Sequence, residues 1–418
     1  MTVRGGRGRA AALLLAGGLL LSACTQGSQP GPQTTAGPLV LGTLIPKTGS
    51  FSHVGPAQEA GVQLALADID KAGGVLGQPV TLVDADSGDS FSSVASQSVD
   101  RMLARHVDAI VGATGSSVTL TVIDKVVGAG VALVSPGDAS EKLTGYPDRS
   151  LYARIVPPDS FAAATMARLL ASAGHRDVAV LYERDAYATG YAENLQRDIV
   201  GNGGRVVGAI EYDGRSGDFS GQAGQVAAAH PQAVAVIGTG EAAAVVQALV
   251  KAGAGPDVAP LYVSDLALWP GLVQGLSPAQ AGGVTGLRPG AATSTEFRDR
   301  LAAQAPDLTD IGYAAQAYDA TVLVALAATA AHGTQGSKIA AALPSLTSGS
   351  IPCSTYKECA ALLAVGQTIA YTGQAGPVRL DKDGEPVTGT MGVYRFGPTG
   401  TYPPVGTYVS GTFPAVGG

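Results

Sequence analysis

Residues 39–74, LVLGTLIPKTGSFSHVGPAQEAGVQLALADIDKAGG, decide the fold. The stretch opens on an apolar run of strand length, Leu39 to Pro46. Pro56 to Lys71 then places Val62, Leu66 and Ile69 on one helical face and stops at Gly73-Gly74, the pattern of a helix ended by glycine. The same alternation continues downstream. Val80 to Ala85, Ala109 to Ala113 and Val131 to Pro136 predict strands, and Ser90 to Ala104 and Val118 to Val127 predict helices. Strands that alternate with helices pair in parallel through right-handed crossovers, so this half is an open α/β sheet covered on both faces.

The pattern then restarts. Strands at Val178 to Tyr182, Arg205 to Tyr212, Ala233 to Ile237 and Pro260 to Val263 alternate with helices at Ser160 to Ala173, Gly190 to Val200, Phe219 to Ala229 and Glu241 to Ala252. The predicted fold class is therefore α/β, with two doubly wound parallel-sheet lobes joined by a hinge. Ligands of such sheets bind outside the carboxyl ends of the strands, which places a site in the cleft between the lobes.

Upstream of the first strand the chain reads as an address. Arg4, Arg7 and Arg9 precede an uncharged apolar run from Ala10 to Leu21, too short to span a bilayer with ease, and small residues follow. Leu21-Ser22-Ala23-Cys24 resembles a lipobox, which implies a signal peptide over residues 1–23 and a lipid on Cys24; an ordinary signal peptide with an incidental cysteine is the alternative. Residues 24–38, rich in Gly, Pro, Gln and Thr, form a flexible tether. Without the three leader arginines, 23 of the 26 basic residues stand against 33 acidic ones, a formal charge of −10 that argues against nucleic acid as a partner. The stretch from Ala314 to Ala331 is broken by Gln316, Asp319 and Thr321, so the lipid is the expected membrane anchor.

Outside the cytoplasm, Cys353 and Cys359 are expected to pair as a disulfide that staples a surface loop. A metal site would need further ligands, and the five histidines are scattered singly, so no metal is expected. Gly238-Thr239-Gly240-Glu241-Ala242-Ala243 meets the Gly-x-Gly-x-x-Ala form of a dinucleotide fingerprint, but it sits in the second lobe of an exported protein and reads better as a tight strand-to-helix turn at the cleft. The sequence contains no Gly-x-x-x-x-Gly-Lys-Ser/Thr, His-Glu-x-x-His or Gly-x-Ser-x-Gly. No cofactor is expected. Gly112 to Ser117 ends a strand in small and hydroxyl residues just before a helix, a place that suits a carboxylate, although a plain serine N-cap would look the same. Val134 to Ser140 ends the next strand in the same way.

Together these segments resemble the type I periplasmic binding proteins, specifically the leucine/isoleucine/valine-binding receptors of ABC importers. The marks are Gly42 to Gly49 with Gly61 to Ala65 and Asp68 to Gly74, Val111-Gly112 with Ser116-Ser117, and Ser135-Pro136 with Leu143-Thr144. Asp185 to Gly190, Tyr313-Ala314-Ala315 with Tyr318-Asp319-Ala320, and Tyr371-Thr372-Gly373 with Gly376-Pro377-Val378 extend the likeness over most of residues 39–400. The resemblance implies an N-terminal lobe of residues 39–156 plus 288–374 and a C-terminal lobe of 157–287 plus 375–410. It puts Ser116, with Ser117 beside it, on the ligand carboxylate, and Gly137 and Ala139 on carboxylate and ammonium. Ala139 lacks the hydroxyl common at its position, and Asp138 adds a charge next door. In the other lobe Tyr187 is the pocket aromatic, Asp265 the acid for the ammonium, and Thr239 stands where an aromatic is usual; a solvated turn aspartate is the alternative for Asp265. The implied protein is a monomeric, lipid-anchored extracytoplasmic receptor without chemistry of its own. It closes on a small ligand, an amino acid or related amide, and presents it to ABC permease subunits; a sensor that hands its closed form to a signalling receptor is the alternative.

Overall fold

The computed structural model describes residues 37–413, so the leader, Cys24 and nearly all of the tether lie outside the described residues. The quoted stretch forms β1 (Val40–Ile45) and α1 (Gly55–Lys71). β2 (Thr81–Asp86), α2 (Val94–Ala104), β3 (Ala109–Gly112), α3 (Ser116–Gly128), β4 (Ala132–Ser135) and β5 (Tyr152–Arg154) complete the first sheet, parallel throughout in the order β2-β1-β3-β4-β5. α2 starts at Val94 rather than Ser90 because residues 90–93 are spent on a turn.

Through Ile155 to Pro158 the chain passes to a second sheet. This contains α4 (Asp159–Ser172), β6 (Asp177–Glu183), α5 (Ala186–Gly201), β7 (Arg205–Tyr212), α6 (Ser220–Ala229), β8 (Ala233–Ile237), α7 (Ala242–Lys251), β9 (Leu261–Val263), α8 (Pro278–Gly282) and β10 (Val284–Pro289). α5 begins four residues before Gly190, because extended Asp185 caps it by accepting a 2.6 Å bond from the Ala188 N–H.

After β10 the chain supplies α9 (Thr295–Gln304), α10 (Ala314–Ala330) and α11 (Gly336–Leu346). β11 (Ile351–Cys353), α12 (Tyr356–Ala364), β12 (Ile369–Gly373) and β13 (Gly376–Pro377) follow, the three strands forming a small sheet. α10 packs along α1, so closely that a Cβ on Gly61 would lie 2.1 Å from the Ala314 carbonyl oxygen. Ala314 through Ala328 are all buried, which explains a helix that is apolar on every face. The chain then returns to the second sheet as the antiparallel pair β14 (Thr388–Arg395) and β15 (Pro404–Thr412), giving the order β15-β14-β10-β9-β8-β6-β7. Cys353 and Cys359 face one another with Cα atoms 5.4 Å apart, within the range a disulfide requires.

Two buried polar groups hold the passages between the sheets. Arg154 is fully buried and donates to Glu385, to the Ser140 carbonyl and to Thr144, tying the first passage to the third. Asp319, on α10, accepts from the Tyr371 hydroxyl at 2.9 Å and from the Gln374 and Ala375 N–H groups at 2.8 Å each. Gly373 lies so close that a Cβ there would sit 2.1 Å from the carboxylate, which accounts for the Tyr-Thr-Gly spacing at residues 371–373.

Candidate ligand-binding cleft

The carboxyl ends of β3 and β4 build one wall. Ser116 opens α3, and its Oγ accepts from the Ala139 and Ser140 N–H groups, both at 3.1 Å. With its acceptor capacity used in this way, the hydroxyl proton is left to donate. Gly137 is fixed by a close approach, since a Cβ would meet the Thr114 side chain at 2.7 Å. Ala139 accepts from the Asp159 N–H at 2.8 Å through its carbonyl. Ser117 sits against Asp185 of the second lobe.

The second wall is tyrosine and carboxylate. Asp265 follows β9, is 5% exposed, and accepts from the hydroxyls of Tyr187 on α5 and Tyr313 just before α10, one on each oxygen. Tyr313 reaches it from a left-handed conformation, φ 66°, that non-glycine residues seldom adopt. Asp159, the first residue of α4, is 1% exposed, and among the described residues neither of its oxygens has a hydrogen-bond partner; the buried Tyr191 hydroxyl likewise has none there. Burial holds the Asp159 carboxyl well above the usual carboxylate range, the Asp265 charge adds to this, and Arg154 opposes it. Two carboxyl groups close enough to disfavour joint ionisation, with three tyrosine hydroxyls around them, are a place where a bound cation would relieve the repulsion.

The walls meet directly. Ser140 Oγ donates to the Ala186 carbonyl at 3.0 Å, Asn194 to Glu141 at 3.2 Å, Gly240 N–H to the Ser50 carbonyl at 3.2 Å, and His53 Nε2 lies 2.9 Å from the Leu266 carbonyl.

Of the residues picked from sequence, Ser116, Ala139, Tyr187 and Asp265 fall into this one buried group. Asp138 does not face it: its carboxylate accepts from Tyr152 at 3.2 Å inside the first lobe, where burial pushes it up to about 6. Thr239 is also turned inward, its hydroxyl and N–H both bound to Glu241. Asp159, Tyr191 and Tyr313 were missed. Tyr313 stood in a quoted motif without a role, and Asp159 follows Pro157-Pro158, where an acid after two prolines at a strand-to-helix passage was the available signal.

Residues 38–408 match the family model described as periplasmic binding protein, and the chain belongs to that family, whose members bind solutes and are not enzymes. It is similar to the chemotactic signal transduction system substrate-binding protein BasB of Halobacterium salinarum, 28% identical over 85% of this chain and 86% of that one. It is also similar to the Leu/Ile/Val-binding protein BraC3 of Rhizobium johnstonii, 25% identical over 40% of this chain and 45% of the relative. The fold is shared with the branched-chain amino acid transporter substrate-binding protein LivJ of Streptococcus pneumoniae in complex with isoleucine, with a TM-score of 0.74 and 21% identity over 90% of this chain and all of that one. Among the described residues no helix is long and apolar enough to cross a membrane.

Proposed function

We propose that the protein is the solute receptor of an ABC importer and binds a small amino acid, or a related amide, between its lobes. The observation that carries this reading is the pairing of opposite chemistries in one buried group: Ser116, with a hydroxyl proton to give, and the acids Asp265 and Asp159, which want a cation. A zwitterion meets both needs, with its carboxylate at Ser116 and the start of α3 and its ammonium between the acids. Ser117, Gly137, Ala139 and Tyr187 complete the pocket in this reading, and Asp138 and Thr239 support its walls from behind. In this reading the lobes are residues 39–156 plus 288–374 and 157–287 plus 375–410; the bound at 156 falls at the first passage between the sheets, while β10 runs two residues past 287 and β13 two or three past 374. Because ligand touches both lobes, it favours closure, and the closed form is what permease subunits receive.

Calorimetry with a panel of amino acids, amides and carboxylates tests the reading. One α-amino acid should bind at least tenfold more tightly than its deaminated analogue, about 1.4 kcal/mol; equal affinity for the two would sink the zwitterion. Similarity to BasB favours a second reading, a sensor that passes its closed form to a signalling receptor. Deleting a neighbouring permease would abolish uptake under the first reading and leave a behavioural response under the second. The protein is anchored through lipid on Cys24, as the Leu-Ser-Ala-Cys sequence suggests, and carries a Cys353–Cys359 disulfide, which the 5.4 Å Cα separation supports. Palmitate labelling of Cys24→Ser and alkylation mass without reductant check these two points; retained label, or two free thiols, refutes the respective one.

A further inference from the structure

A second cavity, of about 700 Å³, opens beside the carboxyl end of β10, between the passage to α9, the first turn of α10 and the β14–β15 hairpin. It is lined mainly by alanine, proline, tyrosine and threonine in equal numbers, and its charged lining residues are Arg288, Arg298 and Asp310, one more positive than negative. Arg288 is 6% exposed. Its terminal nitrogens donate to Asp310, to the Leu268 carbonyl and, at 3.4 Å, to the Tyr402 hydroxyl, while its Nε has no partner among the described residues. The rings of Tyr394 and Tyr402 lie 5.9 and 5.4 Å from the guanidinium carbon. α10, seventeen residues long, presents the positive end of its dipole here, because Ala315 and Gln316 of its first turn line the cavity and Tyr313 gives it no side-chain cap.

An excess guanidinium charge, an unsatisfied buried N–H and a helix N-terminus all favour an anion, and aromatic and aliphatic walls favour an apolar body behind it. We propose that this cavity is a second ligand site, separate from the cleft, that takes a small carboxylate with an aromatic or branched apolar body. Two residues connect it to the cleft. Tyr313 lines the cavity and donates to Asp265, and Arg288 holds the carbonyl of Leu268 at the end of the turn that carries Asp265. The proposal does not depend on the identity of the cleft ligand.

The probe is 4-fluorobenzoate, followed by fluorine NMR on the folded protein. Saturable binding is expected, weakened about tenfold or more by Arg298→Glu, which inverts an exposed lining charge, and by Ala292→Trp, which fills the cavity; Ser116→Ala should leave it within about twofold. Melting temperatures close to wild type confirm that both cavity variants fold, and Arg298→Glu carries the test alone if the tryptophan is not tolerated. Absence of saturation, binding that Arg298→Glu leaves unchanged, or loss in Ser116→Ala would overturn the proposal, the last by placing the carboxylate in the cleft.

Discussion

Asp319 and Asp159 are both buried carboxylates, yet their surroundings differ in every respect that matters. Asp319, at the third passage, is met by a tyrosine hydroxyl and two backbone N–H groups, each within 2.9 Å. Asp159, at the first passage, is met by nothing that donates to its oxygens, and Asp265 repels it. Burying a carboxylate without donors is expensive, so such a group is driven toward its protonated form unless a cation completes it. The contrast separates a carboxylate that holds architecture from one that, in the proposed function, awaits a cation.

The sharpest break of that contrast comes from Asp265, which stands between the two cases because its partners are tyrosines that a ligand can share. Asp265→Ala should cost about 2–5 kcal/mol of ligand binding with little change in melting temperature, read by calorimetry. An affinity within about threefold of wild type, well under 1 kcal/mol, would place the ammonium elsewhere. Asp159→Asn should weaken binding by about 1.5–3 kcal/mol and raise the melting temperature of the ligand-free protein at neutral pH, because it removes a carboxyl that folding must either desolvate or protonate. A variant that binds normally and melts lower would put Asp159 with the architectural acids.

Asp319→Asn should do the reverse, leaving ligand affinity nearly unchanged while costing about 1–3 kcal/mol of stability at pH 5, since an amide nitrogen cannot accept from the Ala375 N–H. Its pH dependence sharpens the point. Burial pushes Asp319 from the ordinary 3.8 up to about 7, against the three donors. Between these values the folded protein holds a proton that the unfolded chain has released, so wild-type stability falls as pH rises through the window. The asparagine variant has no such proton, and the gap between the two should narrow from pH 5 to pH 8. A gap that widens would mean that the anion is the favoured form. Melting curves across that range decide it.

How much of this was legible depends on what each residue answers to. β1 and α1 could be read because an apolar run and a glycine stop are local signals, and β7 and β8 run over the predicted residues for the same reason. α5 was placed four residues late because Gly190 looked like a boundary, whereas the cap is made by Asp185. α10 has no polar face to reveal its orientation. In the cleft, Ser116 was legible from its place at a strand end, whereas Asp265 came from the family resemblance together with such a place. Asp138 and Thr239 came from the same resemblance but are turned inward, Asp138 by Tyr152 of the next strand and Thr239 by Glu241 two residues on. Asp159 required knowing that tertiary packing would bury it and supply no donor.

The bonds between the walls, from Ser140 to Ala186 and from Gly240 to Ser50 among them, would form whether or not a solute is present, so by themselves they would let an empty receptor report that it is full. In the proposed reading the Asp159 carboxyl works against that false report, since closing over it without a cation must either desolvate the anion or take up a proton. Shutting the cleft without a cation buries it alone, and each 1.4 kcal/mol of that penalty lowers the spurious closed population about tenfold. If Asp159 helps choose the solute as proposed, the same carboxyl sets the background against which its arrival is heard. Small-angle scattering of the empty Asp159→Asn variant should reveal a more compact particle than empty wild type; identical profiles would show that the noise is suppressed by other means.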